Sequence, residues 1–411
     1  MDAAADIFLA PFSQQPQNAA AQRFDQLAAD LGFMPNSANG LLRVDTEAEQ
    51  AYREIEGTLE TFLRSQLASP SPASTSVPPQ LTRYLKEYEA SLAAVQTHLL
   101  ERETPLWEID FEQMAEASYP LPGFVNVLGV QKLLLLSAID HQQHRRTEQM
   151  EQALEVSWRL NQAIATRPDL VSQLLVSLTA EKQAGILRHI DAMPPEFYET
   201  WQSRLGTQSQ HSMTAITRGL QFDAWLQYKV LQNSLSRMTG GFSKTSPGAV
   251  SGLSASGGLA STLSYWFSPA YYFSLSNLDT NETSQSALEH LSELDLCQTT
   301  QLAAEQQLAS RKTAVWNKAV LPSKTLARRW KEAGDRALAL ELTQKVLLAR
   351  QGSQSGRWPA TIPNLHSEIC PKEAWVYEVK SDKTVTLSFS TQRSSKAVVP
   401  LTYRTNRLAA D

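Results

Sequence analysis

Cysteine is nearly absent from this sequence of 411 residues, in which Cys297 and Cys370 are the only two. Two cysteines cannot build a disulfide framework, and neither stands in a C-x-x-C motif of the kind that binds zinc or exchanges disulfides. The two cysteines can form one disulfide bond or remain two separate thiols. We expect two buried free thiols.

Long apolar stretches are also lacking. The first residues, MDAAADIFLAPF, contain no basic region, and no stretch approaches the 18 consecutive apolar residues of a membrane-spanning helix. If the sequence is the whole native chain, this pattern predicts a cytoplasmic protein. If a leader was removed from it, we expect an extracytoplasmic or membrane-associated protein.

Charged residues are scarce, at 19%, whereas apolar residues reach 42%, which is enough for a folded core and excludes a disordered chain. The charge is unevenly distributed. Residues 311–411 carry 18 Lys and Arg against 8 Asp and Glu, and residues 1–310 carry 19 against 34. A basic end can bind an anionic partner, but an acidic body can neutralise it within one molecule. Over an anionic partner, we favour neutralisation within the molecule or charged faces that are simply solvated.

Apolar residues recur at helical intervals through most of the first 350 residues. The clearest stripe alternates steps of four and three residues, a spacing that packs one helix along another. It consists of Leu81, Leu85, Tyr88, Leu92, Val95 and Leu99. Another helix contains the run Leu133–Leu136 and is apolar on most of its circumference, as expected at the centre of a bundle. The predicted helices are 18–32, 45–68, 81–99, 124–145, 147–166, one after Pro168, one after Pro194-Pro195, 211–236, 283–310 and 323–350.

Near the end of the chain, the spacing of apolar residues changes from the helical period to a period of two residues. Trp375, Tyr377 and Val379 alternate with other residues before a predicted turn at residues 381–383. Val385, Leu387 and Phe389 alternate after it, which predicts a β-hairpin. Residues 397–403 add a predicted third strand. The fold class is therefore mainly α, an antiparallel helical bundle or irregular helical array with a small C-terminal α+β module of a helix plus a β-hairpin.

Changes in composition divide the chain into six predicted parts. These are an N-terminal helical segment at 1–67, a Pro/Ser linker at 68–79, a helical core at 80–238, a Gly/Ser- and aromatic-rich region at 239–282, a helical part at 283–350 and a β-rich module at 351–411.

His141, His144 and Glu148 are spaced i, i+3 and i+7, and on one continuous helix they would share a face. Two imidazoles and a carboxylate one turn apart can hold zinc or iron. No second motif completes such a site, so a solvated helix terminus is the favoured reading. A metal-dependent or other hydrolase on this face is the enzymatic alternative. The glycine-rich residues 240–258 match neither a phosphate-binding loop nor a nucleophile elbow.

Two segments have the composition of contact surfaces. The first is an aromatic run, since aromatic side chains favour protein and membrane interfaces. The other interpretation, which we favour, is that these residues plug the open end of the bundle. It contains Tyr265, Trp266, Phe267, Tyr271 and Tyr272. The second is the basic side of helix 323–350, formed by Lys324, Arg328 and Lys331. No nucleic-acid-binding motif accompanies this basic side, so we do not expect nucleic acid as the partner.

Residues of about 336–390 contain the pattern RALALELTQKVLLARQGSQSGRWPATIPNL followed by AWVYEVKSDKTVTLSFS. In this pattern the C-terminal segment resembles the globular domain of pseudopilins. The matching positions are Gly356, Trp358, Pro359, Ile362, Leu365, Trp375 and Tyr377. A similar tail also follows helical bodies in uncharacterised bacterial envelope-associated proteins. The resemblance implies a structural, non-catalytic tail in which a hairpin packs back on the preceding helix, and an extracytoplasmic setting.

These observations together predict a non-enzymatic scaffold or assembly protein with a protein partner and no cofactor, in a bacterial envelope or membrane-associated complex. The expected contact surfaces are the aromatic run, the basic helix and any unpaired edge of the hairpin. A peripheral membrane or lipid-binding protein, using Trp266 and its neighbours, is the second alternative after the hydrolase.

Overall fold

A computed structural model describes residues 14, 16–33, 46–71, 76–101, 103–114, 124–190, 193–242, 293–309, 323–353, 357–380, 384–390 and 400–405. These contain eleven helices and one three-stranded sheet, which confirms the predicted fold class. The helices are α1 Ala19–Ala29, α2 Glu47–Ala68, α3 Pro79–Glu87, α4 Glu89–Glu101, α5 Phe111–Met114, α6 Phe124–Gln143, α7 Thr147–Ala165, α8 Leu170–Leu187, α9 Pro195–Phe242, α10 Gln301–Ala309 and α11 Ser323–Gln351. The strands are β1 Trp375–Val379, β2 Val385–Phe389 and β3 Thr402–Thr405.

The first helices begin at side-chain caps. Asn18 accepts a hydrogen bond from the backbone N–H of Ala21 at the start of α1, and Thr46 accepts one from Glu49 at the start of α2. The predicted helix 81–99 is divided at Tyr88 into α3 and α4. Its apolar stripe nevertheless faces the core along its whole length, with every member buried or packed against buried residues.

The centre of the molecule is formed by α6, α7 and α8. Leu133–Leu136 are buried, as their position in a helix apolar on most sides predicts. A small buried polar cluster links the three helices. Ser157 on α7 donates to Gln131 Oε1 on α6 at 2.5 Å and accepts from Gln183 Nε2 on α8 at 2.8 Å. Because a buried polar group is costly when unpaired, these bonds favour one register among the three helices.

The region after Pro195 is one helix of 48 residues, so the prediction of two separate helices there is wrong. Ser, Thr and Gly around residue 206 weaken the local helical pattern, but α11 supports the same stretch along its length. Ser209 donates to the carbonyl of Ala337, and Gly206 lies against the side chain of Gln344. Packing therefore maintains a helix that local propensity does not favour.

The predicted hairpin is present, and the sheet has the antiparallel order β1-β2-β3. Trp375 pairs with Phe389 and Val379 with Val385, while Leu387 pairs with Tyr403 in the third strand. The third strand is Thr402–Thr405, and residues 397–399 of the predicted strand lie outside the described residues. One face of the sheet packs on α11 in a cluster that includes Leu338, Leu342, Val346, Trp375, Leu387, Phe389 and Tyr403. Other α11 residues, among them Leu340 and Leu347, belong to the main core, so α11 is shared by the body and the C-terminal module.

Cys297 and Cys370 are paired in a disulfide, so the expectation of two free thiols is wrong. Their Cα atoms lie 5.7 Å apart, within the normal bridging range. The bond joins the segment before α10 to the turn before β1. Leu296, next to Cys297, packs against α11 at Gly334, where any Cβ would overlap the leucine side chain. The sequence separation of 73 positions explains why local sequence pattern does not show the pairing.

Candidate interaction surface

Among the described residues, none pairs with the outer edge of β1 beyond its first residue, and this part of the strand is called the open edge. Ser390 N donates to Ala374 O, and Lys380 N donates to Thr384 O at 2.8 Å, so the even-numbered residues of β1 bond to β2 and the odd-numbered ones face outward. Trp375 N donates outward to Leu365 O at 2.7 Å. After Trp375, no described residue bonds to the outward N–H and C=O groups of Tyr377 and Val379.

The side chains along this edge combine apolar and charged groups. Val376 is 38% exposed and Val379 is 41% exposed, while Glu378 and Lys380 are also exposed. The hydroxyl of Tyr377 donates to the carbonyl of Pro359 at 2.8 Å. The opposite edge of the sheet is partly covered, because Arg404 N on β3 donates to Pro70 O at 2.8 Å. An uncovered strand edge with exposed valines is a template for pairing with another chain.

A buried carboxylate fixes the turn beside this edge. Glu341 on α11 accepts from Ser367 Oγ at 2.7 Å and from Glu368 N at 2.7 Å. Burial raises the pKa of Glu341, and these two hydrogen bonds act in the opposite direction. In the same turn, the carbonyl of Leu365 accepts a hydrogen bond from Trp375 N. The ring of Trp375 is buried, and its centroid lies 4.8 Å from that of the Phe389 ring. The open part of β1 is therefore held on a rigid support.

Two buried arginines connect the module to the helical body. Arg188, at the end of α8, donates to Thr343 Oγ1 at 2.7 Å, to Ala339 O at 2.6 Å and to Pro400 O at 2.6 Å. Arg350 donates to Arg188 O at 2.6 Å and to the hydroxyl of Tyr403 at 2.9 Å. Burial lowers the pKa of Arg188 to about 9, so its guanidinium remains charged at neutral pH.

His189 makes the same junction sensitive to acid. Burial, with the adjacent charges of Arg350 and Arg188, lowers the pKa of His189 from 6.5 to about 4, and the main chain of Gln66 acts in the opposite direction. The unfolded chain therefore binds a proton before the folded one as pH falls. We expect the stability present above pH 6.5 to be lost progressively between pH 6.5 and 4, by about 3 kcal/mol at most.

Urea unfolding across this pH range tests the prediction with the variant His189→Gln. The variant should lose less stability between the two pH values than the wild type. His211→Gln, which changes an exposed histidine on α9, is the control and should keep the wild-type profile. An unchanged slope in His189→Gln would show that this imidazole does not cause the acid sensitivity.

The three residues of the metal candidate do not share one helix face. His141 belongs to the last turn of α6, which ends at Gln143, and Glu148 belongs to α7. Arg145 lies between the helices with a φ of 57°, so the continuous helix that their spacing requires is interrupted. Asp140 there pairs with Arg146 at 2.6 Å. No group of three or more His, Cys, Asp or Glu in the described part of the chain is placed to hold a metal ion.

The basic side of α11 is largely engaged by its own surroundings. Glu332 lies 3.9 Å from Arg328 and 3.2 Å from Arg329. Lys331 Nζ donates to the carbonyls of Leu296 and Thr299 and so holds the segment before α10. The side chain of Lys324 lies outside the described residues.

The aromatic run Tyr265, Trp266, Phe267, Tyr271 and Tyr272 also lies outside the described residues, as do Gly356 and the predicted turn 381–383. Among the helices that are described, none is long and apolar enough to cross a lipid bilayer. Sequence reasoning pointed to an unpaired hairpin edge but not to Arg188, Arg350 or Glu341. A charged residue carries no local signal of burial, so only the packed structure identifies these three.

Comparisons of the chain with protein-family models, with curated proteins and with solved structures found no match.

Proposed function

We propose that this protein is a non-enzymatic assembly protein, and that two copies associate through the open edge of β1. The observation that carries the proposal is the uncovered backbone of Tyr377 and Val379 beside two exposed valines. Two copies of one strand can pair antiparallel about a two-fold axis, which closes both edges in a single contact.

Charge selects the register of this pairing. If the two-fold axis passes through Val379, each Glu378 lies opposite the Lys380 of the second copy, and opposite charges directly across strands are stabilising. An axis through Glu378 would place the two carboxylates opposite each other. An axis through Tyr377 would pair Trp375 with Val379 of the second copy. That pairing needs the outward N–H of Trp375, which already donates to Leu365 O. The Val379 register is thus the one that the described contacts and charges favour.

Two further features support an assembly role. The resemblance of residues 336–390 to the pseudopilin globular domain implies a structural tail. The Cys297–Cys370 pairing is typical of proteins in oxidising compartments, which supports an extracytoplasmic setting. We therefore place the proposed assembly at a bacterial envelope.

Sedimentation equilibrium of the full chain tests the association by a charge-reversal series. We expect a concentration-dependent dimer for the wild type. Glu378→Lys and Lys380→Glu each place like charges across the interface and should weaken dimerisation about tenfold, since two repulsive pairs replace two attractive ones. The double variant Glu378→Lys/Lys380→Glu restores opposite charges and should recover the wild-type affinity.

The control is Arg23→Glu, a charge reversal on α1 away from the sheet, which should leave the dimer unchanged. Val379→Pro adds a backbone test, because it removes an outward N–H while the ladder with β2 keeps its bonds. A wild type that stays monomeric at every concentration overturns the proposal, as does a dimer that all of these variants preserve.

A further inference from the structure

A cavity of about 550 Å³ lies between α1 and α4. This volume is within the range of sites that bind small molecules. The apolar part of its lining consists of three alanines and Leu27, and Arg23, His98 and Glu103 add two charges and an imidazole. Apolar walls with a few converging polar groups are the composition expected of a small-molecule site.

Arg23 and Glu103 line this cavity with opposite charges, but they do not form an ion pair with each other. Arg23 Nη1 donates to Gln26 Oε1 at 3.2 Å, a contact with a neutral amide that leaves the guanidinium charge unmatched. Within the described part of the chain, no carboxylate pairs with Arg23 and no cation pairs with Glu103. A molecule that carries both an anionic and a cationic group can therefore contact the two side chains together.

The imidazole of His98 adds a hydrogen-bond acceptor to the cavity. His98 is 8% exposed, and its Nε2 lies 2.8 Å from the carbonyl oxygen of Ala20 on α1. Because a carbonyl only accepts, Nε2 carries the proton, and Nδ1 of the neutral ring is an acceptor. None of the described residues donates to Nδ1, so this atom is left for a donor that enters the cavity.

The wall beside Glu103 is fixed by Asn18, the residue that caps α1. Asn18 Nδ2 donates to Thr104 O at 2.9 Å, and Asn18 Oδ1 accepts from Leu106 N at 3.0 Å. Asn18 N also donates to Leu106 O at 3.0 Å. These three bonds hold the segment after α4 against the start of α1. The position of this wall is therefore set before a molecule binds, which lowers the entropic cost of binding.

We propose that the cavity between α1 and α4 binds a small zwitterion with an aliphatic body, of the class of free amino acids and dipeptides. Arg23 binds its carboxylate, since guanidinium groups pair with carboxylates through charge-assisted hydrogen bonds. Glu103 and His98 Nδ1 accept hydrogen bonds from its ammonium group. The aliphatic side chain packs on Leu27 and the alanines, which removes apolar surface from water. This binding does not depend on association through β1.

Isothermal titration calorimetry of the full chain with L-leucine and with the dipeptide L-leucyl-L-leucine tests the proposal. We expect saturable binding of one molecule per chain, and the tighter of the two probes identifies the source as a free amino acid or a peptide. The N-acetyl form of that probe lacks the ammonium charge, and its C-terminal amide lacks the carboxylate. Each derivative should bind about tenfold more weakly, because one charge-assisted contact is lost.

Two variants assign the two charges to their partners. Arg23→Met should weaken binding of the zwitterion about tenfold but change binding of the amide less than about threefold, because the amide has no carboxylate for Arg23. Glu103→Gln should likewise weaken binding of the zwitterion and leave that of the N-acetyl form nearly unchanged. Arg83→Met on α3 and Glu112→Gln on α5 change exposed residues. They are the matched controls and should keep the wild-type affinity.

Arg23 and Glu103 are exposed, so their variants should keep the wild-type circular dichroism spectrum, which confirms folding. Absence of saturable binding by both L-leucine and the dipeptide overturns the proposal. Equal losses in the test and control variants overturn it as well, as do singly charged derivatives that bind as tightly as the zwitterion.

Discussion

The variant Arg188→Met is expected to lower the free energy of unfolding by roughly 3–5 kcal/mol, because the arginine makes three charge-assisted hydrogen bonds in a buried position. Those bonds reach Thr343 and Ala339 on α11 and Pro400 before β3. Methionine fills part of the volume but leaves the carbonyl of Pro400 without this donor. Urea unfolding followed by circular dichroism measures the difference.

Two further variants separate the role of Arg188 from a general loss of charge. Arg188→Lys keeps the charge but cannot reach three acceptors in different directions, so an intermediate loss is expected. Arg23→Met removes an exposed arginine on α1 that donates to Gln26, and it should change stability by less than about 1 kcal/mol. If Arg188→Met is as stable as Arg23→Met, the buried arginine does not hold the module to the body.

The double variant Cys297→Ala/Cys370→Ala is expected to lose roughly 4 kcal/mol, the chain-entropy value for a bridge closing a loop of this length. The sequence separation is 73 residues, so the bridge removes a large part of the freedom of the unfolded chain. In the folded state it also joins the segment before α10 to the turn that precedes β1. Thermal unfolding of both proteins, with and without a thiol reductant, measures the effect.

The reductant distinguishes the bridge from the packing of the two side chains. Wild-type protein should approach the stability of the double variant when reduced, and the double variant should not respond. Lys372→Met removes the nearby ion pair with Asp295, 3.4 Å long and mostly exposed. It should cost only a few tenths of a kcal/mol. A wild type whose unfolding does not change on reduction contradicts the prediction.

Local sequence pattern is informative where local physics decides the structure. The stripe from Leu81 to Leu99 and the run Leu133–Leu136 predicted helices and their buried sides, since a helix places residues three and four apart on one face. The alternation from Trp375 to Phe389 predicted the hairpin for the corresponding reason.

Predictions that needed longer-range information were less successful. Two separate helices were predicted, one after Pro194-Pro195 and one at 211–236, but contact with α11 maintains one helix from Pro195 to Phe242. The spacing of His141 and Glu148 implied a shared face only if the helix continued, and the backbone turns at Arg145 instead. In both cases, the conformation depends on neighbours that a local pattern does not contain.

The sequence alone determined that most of this chain forms amphipathic helices followed by a small antiparallel sheet, because side-chain periodicity acts within each segment. Only the tertiary structure decided that Cys297 meets Cys370, that Arg188 joins α8 to α11 and to the segment before β3, and that no described residue pairs with the outer edge of β1 beyond Trp375. Each of these results from segments distant in sequence coming together, and their relative positions depend on how the whole core packs.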